Sequence, residues 1–308
     1  MRRVLVSGVT GHLGRVLARQ LAGSGVEVHG LTRGEEAAPE PAVPLHLHRI
    51  DGRTETLVNL LQEIRPHTVF HLAAAVRGTH EAASVVPLVE ANVLHGAQLL
   101  ESMRVCGCGQ IVVAGSYLQH AETIAYRALN LYAATKQAFE ALLEYYAEAF
   151  DISAVRLTVC NVYSEHEVRA SLMTDIAQAF RQRSTLVVRD PEVRVDLVHV
   201  DDVARSFVQA ASLMEGTTVP RGSLSKFSVT SGRDFSPAEI VRFFEDIGSR
   251  KLAVRYLEGS GQTRRAKPWR GETVPGWEPR VSIEEGITRI VKQVTDQDRS
   301  LSAVRKQQ

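Results

Sequence analysis

The sequence predicts a doubly wound α/β fold, with a parallel sheet covered by helices on both faces and a smaller C-terminal substrate-binding lobe. Three observations carry this expectation. Short apolar runs alternate with helical patterns along the first half of the chain, which implies crossover connections and parallel strands. A glycine-rich turn joins the first run to the first helical pattern. The 308 residues, 44% hydrophobic and 23% charged, suffice for one large core or two smaller ones.

Val4-Leu5-Val6 is the first strand, and Leu13, Val16, Leu17 and Leu21 then recur at helical spacing. Gly23 and Gly25 stop that helix, and Val26-Glu27-Val28 opens a second strand. Further strands are expected at Leu45–Leu47, Thr68–Leu72, Ile111–Val113 and Ala154–Leu157. Helical patterns at Leu57–Ile64, Val85–Leu100 and Tyr132–Phe150 separate most of them. Beyond about residue 165 the alternation loosens. Helical patterns at Leu172–Phe180 and Val203–Leu213 mix with short strands at Leu186–Val188 and Phe227–Val229. Ser236-Pro237-Ala238-Glu239 marks a helix start, with a capping Ser, Pro at the first helical position and Glu three after the cap. The expected division is a nucleotide-binding domain over 1–165, with a returning segment near 195–235. A lobe over 166–300 and a frayed polar tail over 301–308 follow.

Lysine plus arginine (36) nearly cancels aspartate plus glutamate (35), so no global field recruits nucleic acid or an anionic membrane. No apolar run approaches the ~20 residues of a membrane span. Gly8, Thr10 and His12 interrupt the N-terminal stretch too early for a secretory signal. Three cysteines are too few for a disulfide framework. A cytoplasmic globular protein is expected.

Gly8, Gly11 and Gly14 stand at three-residue spacing between strand and helix. A tight turn, close approach of a diphosphate to backbone N–H groups and close helix–sheet packing each require a glycine there. The helix N-terminus adds partial positive charge. Gly8, Thr10, Gly11, His12, Leu13 and Gly14 are therefore expected to hold a dinucleotide in a Rossmann arrangement. At the end of the second strand an acidic residue would bind the ribose 2′-hydroxyl of NAD. Gly30-Leu31-Thr32-Arg33 offers a hydroxyl and an arginine instead, which suits a 2′-phosphate and favours NADP(H), with Glu35 and Glu36 following as possible acids.

Tyr132 and Lys136 lie four residues apart on a helical pattern, on one face and one turn apart. Moving a tyrosine from near 10 to about 7 takes about 4 kcal/mol. A neighbouring ammonium, with an oxidised nicotinamide, supplies that direction of shift. Tyr132 would then serve as general acid in ketone reduction or as base in alcohol oxidation. Ser116, just past the Ile111–Val113 strand, is placed to hydrogen-bond the reacting oxygen. Tyr126 has no lysine four residues on. Cys106 and Cys108 lack further metal ligands nearby and read as turn residues, and His46 and His48 alternate on a strand without a metal set.

With these pieces in order, the sequence resembles the extended short-chain dehydrogenase/reductase family, in its NAD-dependent epimerase/dehydratase branch. The likeness also includes Phe70-His71-Leu72-Ala73-Ala74-Ala75, Asn92, Val198–Ala204, and Gly276-Trp277-Glu278-Pro279 with Ile283–Gly286. The resemblance implies that Asp51 contacts adenine, that Leu72, Ala73 and Ala74 lie beside the cofactor, and that Lys136 also holds the nicotinamide ribose. It implies that Asn161 binds a nucleotide diphosphate. The family's phosphate-binding arginine corresponds to Val195, and here Arg194 stands one residue earlier, which on a strand changes the face. Arg264, Arg265, Lys267 and Arg270 cluster where a second phosphate-binding arginine is expected. A homodimer through the Val85–Leu100 and Tyr132–Phe150 helices is the implied assembly. The family's dehydratases carry an Asp-Glu pair where this chain reads Ala114-Gly115-Ser116-Tyr117-Leu118, which argues against water elimination. The expected activity is NADPH-dependent reduction of a nucleotide-linked 4-keto-6-deoxysugar at C4. The alternatives are an NAD-dependent nucleotide-sugar 4-epimerase and a non-catalytic NADP-sensing regulator.

Overall fold

The computed structural model describes residues 2–34, 44–120, 125–189, 191–216, 218–257 and 269–305. In chain order the elements are β1 (Arg3–Ser7), α1 (His12–Gly23), β2 (Glu27–Thr32), β3 (Leu45–Arg49), α2 (Thr54–Ile64), β4 (Thr68–His71), α3 (Val85–Val89), α4 (His95–Cys106), β5 (Gln110–Ser116), α5 (Leu131–Phe150) and β6 (Ser153–Val159). There follow β7 (Asn161–Tyr163), α6 (Leu172–Gln182), β8 (Leu186–Arg189), β9 (Val195–His199), α7 (Val200–Glu215), β10 (Leu224–Val229), β11 (Asp234–Phe235), α8 (Pro237–Gly248), β12 (Val254–Leu257) and α9 (Ile283–Arg305).

Seven strands form one parallel sheet in the order β10-β6-β5-β4-β1-β2-β3. The order reverses between β1 and β4, because the chain crosses from β3 at one edge through α2 to β4 on the other side of β1, so the C-terminal ends of β1 and β4 flank the crevice in which such sheets bind ligands. Apolar residues alternate between two cores. Val4, Val6, Val28 and Phe70 pack with α1 and α7 on one face. Leu5, Leu31, Val69 and Ile111 pack with α2, α4 and α5 on the other. Strands buried on both faces read as continuous Val/Ile/Leu runs, which is why they were legible as strands. The small lobe has its own core, in which Ile176, Phe180, Phe244 and Ile287 join α6, α8 and α9. Its strands form two short sheets, β11-β9-β7 and β12-β8.

Three details differ from the sequence expectation. The helix expected over Val85–Leu100 is broken by a π-helical turn at Glu90–Leu94. There the buried Asn92 side chain accepts from the Ala75 N–H at 2.7 Å and donates to the Ala75 carbonyl at 3.0 Å, tying the turn to the end of β4. β9 pairs with β7 and β11, so of the returning segment only β10 joins the large sheet, with α7 packed on one face of it. The tail expected to fray carries α9 on to Arg305. Cys106, Cys108 and Cys160 are free thiols, the latter two buried. Among the described residues no group of three or more His, Cys, Asp or Glu is placed to hold a metal, and no helix is long and apolar enough to cross a membrane.

Candidate active site

The glycine turn closes against the end of β4. Gly8 has φ +75°, and a Cβ there would lie 2.7 Å from the Ala73 nitrogen. A Cβ on Gly14 would lie 2.1 Å from the Gly8 carbonyl oxygen, so α1 can approach the turn only through glycine. The turn is closed by the Gly11 N–H donating to the Gly8 carbonyl at 3.0 Å. Gly11 caps α1 without a side-chain hydrogen bond, leaving Thr10, His12 and Leu13 around a helix N-terminus whose N–H groups suit a diphosphate. These residues fit a dinucleotide. His12 is pushed down to about 4 by burial first and then by Arg169, so it is neutral at pH 7, and its Nε2 lies 3.2 Å from the Ser164 hydroxyl.

Leu72, Ala73 and Ala74 follow β4 beside this turn. The Leu72 N–H donates to the Ser7 carbonyl at 3.1 Å, and Ser7 also bonds His71 Nδ1 at 2.7 Å. Arg33 is exposed immediately after β2. Asp51 follows β3. Its carboxylate accepts from the Arg53 N–H at 2.9 Å and from the Thr56 hydroxyl at 3.0 Å, and the Arg53 bond holds it below the usual carboxylate range. Glu35 and Glu36 lie outside the described residues.

Ser116 ends β5, and the first turns of α5 present Tyr132 and Lys136, which are 9% and 3% exposed. The Ser116 hydroxyl faces Tyr132 and favours its phenolate. The effect expected of Lys136 on Tyr132 is not what the geometry gives. Burial raises the phenol above its usual value, opposed by Ser116 and then by Arg169. Lys136 is itself pushed down to about 8, by burial first and by the nearby Arg156 guanidinium second. Burial, which disfavours the charged form of each group, is the first cause of both shifts.

Two further neighbours were not singled out from the sequence, although Tyr117 directly follows Ser116. Tyr117 lies against the site, its phenol pushed up to about 12 by burial and donating to the Asn161 side chain at 2.9 Å. Arg169, on the loop after β7, acts electrostatically on both Tyr132 and His12. It is paired with Glu167 at 2.7 Å while its side chain stays half exposed. Only the folded loop brings Arg169 there; no spacing in the sequence links it to Tyr132. Tyr126 is exposed, away from a catalytic role.

On the substrate side, Asn161 donates to the Asp196 carbonyl at 3.1 Å in addition to accepting from Tyr117. Arg194 precedes β9 and turns to the small lobe, donating to the Asp234 carbonyl and pairing with Glu239 at 3.3 Å. Arg270 reaches the same Asp234 through its carboxylate at 2.6 Å. Arg264, Arg265 and Lys267 lie outside the described residues.

Residues 4–221 match the model of the NAD dependent epimerase/dehydratase family. The chain is 26% identical to a UDP-glucose 4-epimerase of Mycolicibacterium smegmatis, covering 94% of this chain and 97% of that one. It is 23% identical to a CDP-abequose synthase of Yersinia pseudotuberculosis, over 85% and 89% of the two. Among solved structures, MoeE5 in complex with UDP-glucuronic acid and NAD superposes with TM-score 0.81 at 23% identity, over 96% of this chain and 99% of that one. A UDP-glucose 4-epimerase of Stenotrophomonas maltophila with bound NAD reaches 0.86 at 19% identity, over 97% and 100%. The structural likeness establishes the fold. The family match over most of the chain, with the glycine turn and Tyr132/Lys136 in place, makes this protein a member of the NAD dependent epimerase/dehydratase family, an enzyme of the extended short-chain dehydrogenase/reductase type.

Proposed function

We propose that the protein reduces a nucleotide-linked 4-keto-6-deoxysugar at C4 with NADPH. The observation that carries this reading is Arg33, exposed immediately after β2 where an NAD site would need a carboxylate. Its guanidinium suits a 2′-phosphate, which binds through charge-assisted hydrogen bonds. Bound in this crevice, the nicotinamide supplies the hydride.

Tyr132 gives its phenolic proton to the sugar oxygen as the carbonyl is reduced. The raised value of that phenol keeps it protonated at neutral pH, the form a reductase needs at the start of turnover. Ser116 hydrogen-bonds the same oxygen and stabilises the negative charge that develops on it. Lys136, still largely protonated at pH 7, favours the phenolate left behind and holds the nicotinamide ribose. Asn161 orients the diphosphate, and Arg169 meets the anionic part of the substrate between phosphate turn and phenol. The relatives named for UDP- and CDP-linked sugars support a nucleotide-linked substrate.

A nucleotide-sugar 4-epimerase using NAD is the second reading. It is favoured by the epimerase relatives and by the NAD carried in the structural neighbours. We further propose a homodimer through α3 and α5, where Val86, Val89, Tyr145 and Phe150 are exposed apolar side chains.

The test is titration with NADPH and NADH, then absorbance at 340 nm with CDP- and dTDP-4-keto-6-deoxyglucose. The reductase binds NADPH more tightly and consumes it stoichiometrically with the keto-sugar. NAD retained through purification, with C4 inversion of a UDP-hexose and no net cofactor consumption, overturns this in favour of the epimerase.

A further inference from the structure

Behind Ser116 and Lys136 lies a buried polar cluster that the proposed reaction does not use. Gln119 is fully buried, and its side-chain oxygen accepts the Ser116 N–H at 2.9 Å. Its amide nitrogen donates to the Glu140 carboxylate at 3.0 Å. Glu140, one helical turn beyond Lys136, is 5% exposed and faces Arg156 of β6 at 3.3 Å. The other carboxylate oxygen meets Lys226 of β10 at 3.0 Å. Arg156 is likewise almost wholly buried, yet its Nε and Nη1 make no hydrogen bond among the described residues. Glu140 is the carboxylate that balances its charge.

Arg156, Glu140, Gln119 and Lys136 all line one small cavity of about 10 Å³ under the end of β5. Gly115 is glycine for the same reason: a Cβ there would lie 2.9 Å from the Arg156 side chain. Removing one member of a buried ion pair leaves an uncompensated charge, and here that charge faces the catalytic lysine.

We propose that Glu140 is the positioning residue of this active site, balancing Arg156 so that Lys136 keeps its ammonium and anchoring Gln119 so that the Ser116 turn keeps its place. The assignment rests on the reading of Ser116, Tyr132 and Lys136 as the catalytic set. The charged and titratable groups acting on Lys136 are Arg156 from β6 and Glu140 on its own helix, with His71 from β4 beside it, which burial holds neutral. Arg156 lowers Lys136 and Glu140 raises it. The two substitutions therefore have opposite signs. Loss of Glu140 destabilises the ammonium, and loss of Arg156 stabilises it.

The experiment measures NADPH affinity by fluorescence titration from pH 6 to 10 and, over the same range, kcat with CDP-4-keto-6-deoxyglucose. For Glu140→Gln the alkaline limb of both profiles is expected to move about one pH unit lower, and for Arg156→Met about one unit higher. Lys226→Met, at a partly exposed side chain, frees Glu140 to act on Lys136 and is expected to move the limb upward by less than half a unit. It keeps the test decisive if either buried variant fails to fold. Unmoved limbs in the folded variants, or displacement of Glu140→Gln and Arg156→Met in the same direction, overturn the proposal and leave the cluster a packing feature. Tyr132→Phe separates the two levels: undiminished turnover in that variant refutes the catalytic set itself.

Discussion

Ser116, Tyr132 and Lys136 are each less than a tenth exposed, whereas the side chains of Arg194 and Arg270, offered for substrate phosphate, are about half exposed. The first group is fixed by β5, α5 and a buried network, the second by ion pairs to Asp234 and Glu239 on the small lobe. Buried polar groups must be satisfied, so their geometry is held tightly and small changes are costly. Exposed pairs are screened and contribute little. On the proposed assignment of these residues, the contrast makes the chemistry hard-wired and the substrate recognition adjustable.

Substitutions can break or sharpen that contrast. Tyr132→Phe removes the proposed proton donor and is expected to lower kcat by about a thousandfold, with cofactor affinity within twofold of the parent. A Gly14→Ala variant should weaken NADPH binding at least tenfold, because its Cβ meets the Gly8 carbonyl; isothermal titration measures this. For Arg33→Ala, NADPH binding is expected to weaken by about tenfold, while NADH binding changes less than threefold. Equal losses for the two cofactors would remove the case for NADPH. In the native enzyme, kcat should fall as pH rises through about 8, where Lys136 loses its proton, and stay flat toward pH 7. The smallest effect is expected for Arg194→Ala, with KM for the nucleotide sugar up by no more than about threefold. A rise above thirtyfold would show that recognition is as firmly built as the chemistry.

The same contrast explains what could be read from the sequence. Gly8, Gly11 and Gly14 were legible because steric demands at a phosphate turn leave glycine alone, and Tyr132/Lys136 because helical periodicity puts them on one face. Strands buried on both faces announced themselves as apolar runs. The break at Asn92 was not legible, since the pull comes from Ala75, seventeen residues away. Nor was the raised phenol of Tyr132, because the depth of a crevice is a property of packing. Arg169 reaches the site through tertiary folding, and no local pattern marks it; Tyr117 directly follows Ser116, but its partner Asn161 comes from β7. Arg194 was seen, but its partners on β11 and α8 emerged only in three dimensions.

The buried thiols have a practical consequence. Burial pushes Cys108 up to about 12 and raises Cys160 as well, so at neutral pH neither presents a thiolate to an alkylating reagent. With Cys106, only partly buried, replaced by serine, the native chain becomes an almost silent background for maleimide dyes. Val168 is 96% exposed and adjoins Arg169. A fluorophore attached at Val168→Cys would sit beside the proposed anion contact without entering the crevice. Its emission would then report substrate docking in real time, separately from hydride transfer.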